Sequence, residues 1–383
     1  MNEIFDIVIA GGGPVGSALA LGLRDSGRKI ALLEARAGNT AGVDDGRTIA
    51  LSQGSRLILD RLGVWPALAT AATPIHHITV SQRRAFGRVN LDAADSGVSA
   101  LGYVVRYAVL QRTLAAALVD SGVRVMEGHT AQEVGTDARG ASAITATGER
   151  LAAQLIVVAD GGTQLKMTAV KTRDYHQSAL VCDITSEHVH QNRAYERFTP
   201  EGPLALLPFA AGWSLVWTMQ PQHAQALAAV GDKEFCARLQ DEVGASLGVF
   251  SAPGRRDVFP LALKYATCPV AVRTLLIGNA AQTLHPVAGQ GFNLGLRDAW
   301  ELIRTVVNHA GEDIGDNAVL NSYFSQRRFD RIATILFTDS LIHLFRKNIP
   351  LLGGVRSAAL GALEVLPGAK NFLARRMMFG ARG

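Results

Sequence analysis

Apolar positions along this chain change period several times, and each change marks an element. Residues 6–10 (D-I-V-I-A) form a short apolar run that stops at Gly11-Gly12-Gly13-Pro14-Val15-Gly16, after which Ala18, Leu19, Leu21, Gly22 and Leu23 recur at helical spacing. A second run at 29–33 ends on Glu34, so the N-terminus predicts a strand, a glycine turn, a helix and a strand. Residues 52–62 predict a helix with Leu57, Ile58, Leu59 and Leu62 on its apolar face, and 75–91 predict extended structure, with Ile78, Val80, Val89 and Leu91 among polar neighbours. Tyr103-Val104-Val105 leads into a helix at 110–119, and buried strands are expected at 123–127 and 155–159. Between 175 and 264 short extended runs at 179–184, 204–208 and 213–219 predict an antiparallel sheet. Leu275, Leu276 and Ile277 form a last short strand before a glycine-rich loop. Phe292, Gly295, Leu296, Ala299, Trp300, Ile303 and Val307 then set out a helix.

The glycines turn this pattern into chemistry. A strand, G-x-G-x-x-G, a helix and a second strand closing on an acid form the dinucleotide-binding arrangement. Gly11 permits the tight turn, Gly13 admits a pyrophosphate, Gly16 allows close helix packing and Glu34 accepts ribose hydroxyls. The loop at 278–291, with Pro286, Gly289 and Gly291 just before a helix, lets backbone N–H groups approach a flat or anionic ligand with no Cβ in the way.

Together these stretches resemble the flavoprotein aromatic hydroxylases typified by para-hydroxybenzoate hydroxylase. The resemblance is closer to the ubiquinone-biosynthesis hydroxylases, and within them to the 2-polyprenyl-6-methoxyphenol hydroxylase branch. Most of the wider family carries Gly-Asp-Ala-Ala-His where this chain reads Gly278-Asn279-Ala280-Ala281-Gln282. That departure is a feature of the branch, as are T-L-H-P at 283–286 and G-Q-G-F-N-L-G at 289–295. D-G-R-T-I-A-L-S at 45–52 and Y-E-R-F-T-P-E-G-P at 195–203 extend the resemblance over nearly the whole chain.

The resemblance implies an α/β chain of the two-domain α+β kind. A Rossmann-like FAD-binding domain (1–74, 101–174 and 265–330) would carry an antiparallel-sheet substrate domain (75–100 and 175–264) and a C-terminal helical segment (331–383). FAD is the implied cofactor and NAD(P)H a transient electron donor. Reduced flavin would add O2 as a C4a-hydroperoxide and pass one oxygen atom to a polyprenylated phenol. Arg47 would pair with the pyrophosphate, Gln111 or Arg106 would reach the ribityl chain or phosphate, and Asp160 would sit in the family's Asp-Gly motif. Asn279, Gly289, Gly291, Phe292 and Asn293 would line the flavin. The usual Ser-x-x-Arg continuation of that Asp-Gly motif is absent: Gln164-Leu165-Lys166-Met167 follow instead, so the family's signature for nicotinamide contact is incomplete. His285, Pro286 and Tyr175 are the candidate catalytic positions, with His176 and Tyr195 as further candidate bases or phenol-binding groups, because a base beside the phenol hydroxyl raises electron density on the ring. Other readings stay open: hydroxylation of another ring position or a soluble phenol, reduction or desaturation of prenyl chains, and a non-catalytic FAD- or lipid-binding scaffold of a biosynthetic assembly.

Bulk properties add outer bounds. A chain of 383 residues, 48% hydrophobic and 19% charged, is long enough for two domains with a sizeable core. Its charge of +5 is mildly basic, and no Lys/Arg run interleaved with aromatics points to nucleic acid; an anionic surface suits it better. Cys182, Cys236 and Cys268 are far apart and form no C-x-x-C, so each is expected as a small buried apolar residue in a reducing compartment. His188-Val189-His190 lacks a third ligand, and no metal is expected. No apolar run approaches the roughly 18 residues of a membrane span. The N-terminus reads as a strand rather than a leader, and the expectation is a cytoplasmic protein or one peripheral on the inner membrane.

Past about residue 321 the chain turns helical, with Ile332, Ile335, Leu336, Leu341, Ile342, Leu344 and Phe345 before Arg346-Lys347. Phe372, Leu373, Met377, Met378 and Phe379 follow among Lys370, Arg375, Arg376 and Arg382. Such interleaving suits insertion at a lipid surface; it equally suits helices packed on the flavin domain or used in homo-oligomers or a multienzyme assembly.

Overall fold

In the computed structural model, which describes residues 4–37, 46–83, 85–162, 165, 168–346 and 350–382, the first strand, Ile4–Ala10, lies at the centre of a parallel sheet. Ile30–Glu34 and Arg150–Val158 flank it, Arg124–Glu127 and Thr274–Leu276 lie beyond them, and the short antiparallel strand Val270–Ala271 closes one edge. A parallel sheet covered on both faces needs apolar residues at successive positions, which is why D-I-V-I-A reads as an unbroken run. Ile7 and Ile9 enter one core, with Leu19, Leu23, Leu110, Leu114, Leu296 and Leu302 from the helices Pro14–Leu23, Tyr107–Leu118 and Gln290–Asn308. Phe5, Val8 and Ala10 enter the opposite core, under the hairpin of Ala131–Thr136 and Ala141–Thr145.

A second sheet runs Gln282–Thr283, Asp257–Ala266, Val170–Ser186, Gly212–Met219, Pro203–Phe209, Arg193–Phe198, His77–Gln82, Arg88–Asp92. Its pairs are antiparallel with one exception: Arg193–Phe198 lies parallel to His77–Gln82. That strand belongs to an excursion between residues 73 and 106, and it joins the edge of a sheet made far later in the chain, so no hairpin turn dictates its direction. Leu206, Pro208, Phe209, Trp213 and Trp217 make this region apolar, as a pocket for a prenylated phenol would require. Leu206, Trp213 and Trp217 instead face away, packing with Leu180, Leu204 and Leu215 against Ala224, Leu227, Phe235 and Leu239 of the helices Pro221–Ala229 and Asp232–Val243. The pleat puts alternate residues on opposite faces, so the face that matters is the one carrying Ala194, Phe198 and Ala205.

Three helices end the chain: Asn317–Arg346, Pro350–Val365 and Pro367–Phe379. They pack on the fold and leave an apolar face outward. Ile335, Ile342, Ala374 and Met378 are buried, whereas Phe329, Ile332, Leu336, Leu344 and Phe372 are exposed. No helix among the described residues is long and apolar enough to cross a membrane. Of the cysteines only Cys182 is buried; Cys268 is exposed and donates its S–H to the Val270 carbonyl at 3.0 Å, contrary to the expectation for it. Asp45, Gln164, Lys166, Met167 and Lys347 lie outside the described residues.

Candidate active site

Two cavities meet over the glycine loops. The first, about 460 Å³, runs from Gly11, Gly12 and Gly13 past Glu34, Arg47 and Asp160 to Asn279, Gly291 and Phe292. Its floor requires glycine twice. Gly11 has φ +121°, and a Cβ there would lie 2.5 Å from the Ala159 carbonyl oxygen; a Cβ on Gly16 would fall onto the Gly11 carbonyl oxygen. Gly13 and Gly291 differ, because a Cβ on either would meet no protein atom within 4 Å. Both border open cleft and leave bare backbone for a ligand.

Gly13 and Gly289 are also the N-caps of the helices Pro14–Leu23 and Gln290–Asn308, and no side chain satisfies either cap. Two helix N-termini thus offer free N–H groups and the positive end of the helix dipole. Glu34 ends its strand at the cleft wall, where its Oε1 accepts the Arg36 N–H at 2.9 Å. This donor set fits FAD: an anion site for pyrophosphate at the first helix, an acceptor for the ribose, and a second helix N-terminus where a reduced flavin ring gathers negative charge.

Arg47 stacks on Tyr107 and Phe259 at 4.8 and 5.5 Å and borders the cleft. Asp160 borders it while accepting the N–H groups of Gly162 and Leu165 at 2.8 and 3.1 Å, as a turn cap does. Asn279 borders both cavities. Asn293 is a brace: its amide donates to the carbonyls of Ala50 and Gly289 at 2.9 and 2.6 Å, and its oxygen accepts from the Ser52 N–H and the Ser55 hydroxyl at 2.8 and 2.7 Å. It fixes the strand Thr48–Ser52 against the loop rather than lining either large cavity. Gln111 is buried outside both, with no protein partner for its Oε1 among the described residues. Arg106 is engaged with Asp183 at 2.5 Å and with the Gly46 carbonyl.

The second cavity, about 560 Å³, begins where the first ends, since Thr48, Ile49, Asn279, Gly291 and Phe292 border both. It continues over Pro286 and Gly289, along Ile78, Val80, Ala194, Phe198 and Ala205 of the second sheet, and under Phe337, Leu341, Leu360, Leu363 and Met377 of the C-terminal helices. Phe198 stacks on Phe345 with ring centroids 3.6 Å apart, closing sheet to helix.

A buried polar cluster ties these parts together. Gln282 donates to Asp298 at 2.7 Å and accepts from Arg331 at 2.7 Å, while Arg327 reaches both Asp298 and Asp330, and Arg297 reaches Asp330. Asp298 also receives the Gly278 N–H at 3.4 Å, so the flavin loop hangs from the same carboxylate that anchors the long helix.

A family model described as FAD binding domain matches residues 5–335. The ubiquinone hydroxylase UbiL of Rhodospirillum rubrum is 32% identical over 98% of this chain and 90% of its own length, and the 3-demethoxyubiquinol 3-hydroxylase of Escherichia coli is 31% identical over 95% of each. The chain belongs to the FAD-dependent ubiquinone-biosynthesis hydroxylases. Among solved structures, p-nitrophenol 4-monooxygenase PnpA from Pseudomonas putida superposes with a TM-score of 0.80 at 17% identity over all of both chains. A variant of HpxO from Klebsiella pneumoniae, solved with FAD, superposes at 0.77 and 17% identity, over 99% of this chain and 100% of its own. They establish the para-hydroxybenzoate hydroxylase-like fold.

In this FAD monooxygenase the sequence candidates for catalysis occupy distinct positions. His285 and Pro286 border the second cavity. His285 is fully buried, and burial pushes its imidazole down to about 3, so it is neutral at ordinary pH. Its Nδ1 accepts the Val287 N–H at 3.1 Å, which leaves the ring proton on Nε2, an atom with no protein partner among the described residues. Tyr175 lies behind His285, ring to ring at 5.4 Å, and donates its hydroxyl to Asp339 at 3.0 Å; burial and that hydrogen bond raise its phenol well above the usual value. His176 is exposed beside Asp174. Tyr195 borders the cavity while its ring packs on Trp213. Glu196, which the sequence reading passed over, stands on the cavity wall between Ala194 and Phe198. The signal was an acid in period two with an apolar pair, legible only once that strand's inner face is known.

Proposed function

We propose that this hydroxylase adds one oxygen atom to the ring of a polyprenylated phenol, 2-polyprenyl-6-methoxyphenol, in ubiquinone biosynthesis, drawing electrons from NAD(P)H. The observation that carries the reading is the second cavity, which joins the flavin loop to a long apolar chamber under the C-terminal helices. A phenol ring fits at the loop end and an isoprenoid tail in the chamber, where burying the tail contributes about 25 cal/mol per Å². The names of the relatives from Rhodospirillum and Escherichia support the same substrate class.

When bound, FAD supplies the redox chemistry that accepts hydride and activates O2. This chain's residues do the rest. The N–H groups at the start of Gln290–Asn308 stabilise negative charge on the reduced ring. Neutral His285 offers Nε2–H as a hydrogen-bond donor, and Tyr175 holds its ring edge-on. The apolar walls keep water from the reacting centre. Peripheral membrane contact belongs to the same reading, supported by the exposed Phe329, Ile332, Leu336 and Phe372, with Arg376 over the rings of Phe329 and Phe372.

The test is to mix FAD-reconstituted protein anaerobically with NADH or NADPH, with and without a short-chain 2-prenyl-6-methoxyphenol, and then admit isotopically labelled O2. Substrate-accelerated bleaching followed by one labelled oxygen atom in the product is expected. Flavin that is never reduced, or is reduced but yields unlabelled phenol, overturns the reading.

A further inference from the structure

The strand Arg193–Phe198 turns Ala194, Glu196 and Phe198 toward the substrate-side cavity. Across the sheet Glu196 is paired in register with Val80 on one side and Ala205 on the other, and both line the same cavity. A carboxyl group therefore sits in the middle of an apolar wall, with alanine, phenylalanine, valine and alanine as its sheet neighbours. Among the described residues it has no hydrogen-bond or ion-pair partner, and burial alone raises it from its ordinary range to about 8. The other titratable groups bordering the cavity are His285, Tyr195 and Arg356. His285 is neutral, Tyr195 packs on Trp213, and Arg356 lies over Phe345; none contributes to the shift at Glu196.

A half-buried carboxyl with no protein donor, set in an apolar wall, is costly to ionise, and a ligand that supplies the missing donor lowers that cost. A prenylated methoxyphenol has one donor, its hydroxyl. We propose that Glu196 is the catalytic base of this hydroxylase, accepting the proton of the substrate's phenolic hydroxyl. The proposal rests on the phenol reading of the cavity and deepens it. In the step, the phenol O–H bond breaks, an O–H bond forms on the Glu196 carboxylate, and the single negative charge moves from carboxylate to ring, with no change in oxidation state. The ring becomes electron-rich at the carbons ortho and para to its oxygen, as an electrophilic oxygen requires. A carboxyl raised to about 8 lies roughly two pKa units below a phenol near 10, whereas an ordinary carboxylate lies about six below it and His285 lies further still.

The experiment compares full-length, FAD-loaded wild type with Glu196→Gln, an isosteric change that does not titrate. The first readout is the pH profile of kcat/KM for a short-chain 2-prenyl-6-methoxyphenol. Wild type is expected to rise with pH and level off near the Glu196 value, and the variant to lose that inflection and roughly 10²–10⁴-fold of its rate on the plateau. The second readout needs no turnover: equilibrium binding of the same phenol and of its O-methyl ether, which has no donor. Wild type should prefer the phenol increasingly as pH rises through the Glu196 range, and Glu196→Gln should show a pH-independent preference. Identical pH dependence in both proteins overturns the assignment of Glu196 even if wild type hydroxylates the phenol. A wild type that binds the phenol in this pH-dependent way yet never hydroxylates it would instead count against the function proposed above.

Discussion

Replacing Asp298 by Asn removes one of two carboxylates from a cluster that also holds three guanidinium groups, those of Arg297, Arg327 and Arg331. Asp298, Asp330, Arg297 and Arg327 are 2%, 4%, 9% and 6% exposed, so water does little to screen them. Both terminal nitrogens of Arg297 already lack a hydrogen bond among the described residues, and Nη2 of Arg327, though 2.8 Å from Asp298, is not aligned for one. Burial alone would raise the Asp330 carboxyl, but Arg297 and Arg327 outweigh it and hold the group near 2, a sign of how strongly the cations depend on these acids. Breaking a buried pair by removing one partner costs about 3–5 kcal/mol, because the remaining charge stays buried. At about 2 °C per kcal/mol for a chain of this size, Asp298→Asn should melt about 6–10 °C below wild type in calorimetry or a dye-free fluorescence melt. FAD affinity should fall with it, since Asp298 also receives the Gly278 N–H. The mechanism makes a sharper claim for the double variant Asp298→Asn/Arg327→Met. With the stranded cation gone as well, it should be more stable than the single Asp298 variant by about 1 kcal/mol or more. A single variant melting within about 2 °C of wild type, or a double variant with simply additive losses, would refute the uncompensated-charge account.

Other substitutions test other parts. Gly16→Ala puts a Cβ onto the Gly11 carbonyl oxygen, so it should cost about 1–3 kcal/mol and yield protein purified without flavin; a yellow, fully loaded variant would mean that the turn yields more readily than its geometry indicates. Glu196→Gln should change stability with a definite sign. Its folded value is raised from 4.5 to about 8, so between those values the folded chain keeps a proton that the unfolded chain has released, and wild-type stability falls as pH rises. The variant should gain on wild type across this window, by on the order of a few kcal/mol because the carboxyl is half-buried, and melting curves that run parallel between about pH 5 and about pH 8.5 would contradict the raised value. Tyr175→Phe loses the hydrogen bond to Asp339 and should cost about 1 kcal/mol in a urea titration; because Arg173 still pairs with Asp339 at 2.6 Å, a loss several times larger would show that the hydroxyl does more than hold its ring.

What the sequence made legible was local. The run D-I-V-I-A, the glycine turn and the strand ending at Glu34 are encoded within 34 consecutive residues, and the structure has them nearly as read. The strand before Gly278 and the helix after Gly289 were likewise readable, because an apolar run ending at glycine and apolar positions at helical spacing are both local signals. Asn293 shows the limit. A side chain four residues into a helix beside a ligand loop looks like a ligand contact, and its bonds to Ala50, Ser52 and Ser55 come from a strand and helix start more than two hundred residues away. The wall carrying Glu196 was hidden for a similar reason: its inner face depends on pairing with His77–Gln82, which no local turn specifies. Gln282 was visible as a departure from the family's histidine, but that it carries a hydrogen bond from Arg331 to Asp298 needed the helix of residues 317–346 in place.

The C-terminal helices raise the question of how a chamber walled by non-directional contacts keeps its alignment with the flavin loop. Phe337, Leu341 and Phe345 could slide along the sheet with little loss of buried area, because apolar contact depends on area rather than register. The ion pairs of the cluster cannot: Arg327 meets Asp298 and Asp330 at 2.8 Å, and a shift of one helical rise would part them. Arg327 lies some three turns before Phe337 on the same helix, and Asp298 lies a little over two turns into the helix that begins beneath the flavin site. The Ala381 N–H, donated to Asp330 at 2.7 Å, adds the end of the last helix to the same anchor. One buried cluster thus sets three elements in register: the loop that faces the flavin, the helix roofing the chamber and the helix that closes its side. Cofactor affinity and the shape of the apolar chamber should therefore change together when the cluster is disturbed, although no residue of it borders either cavity.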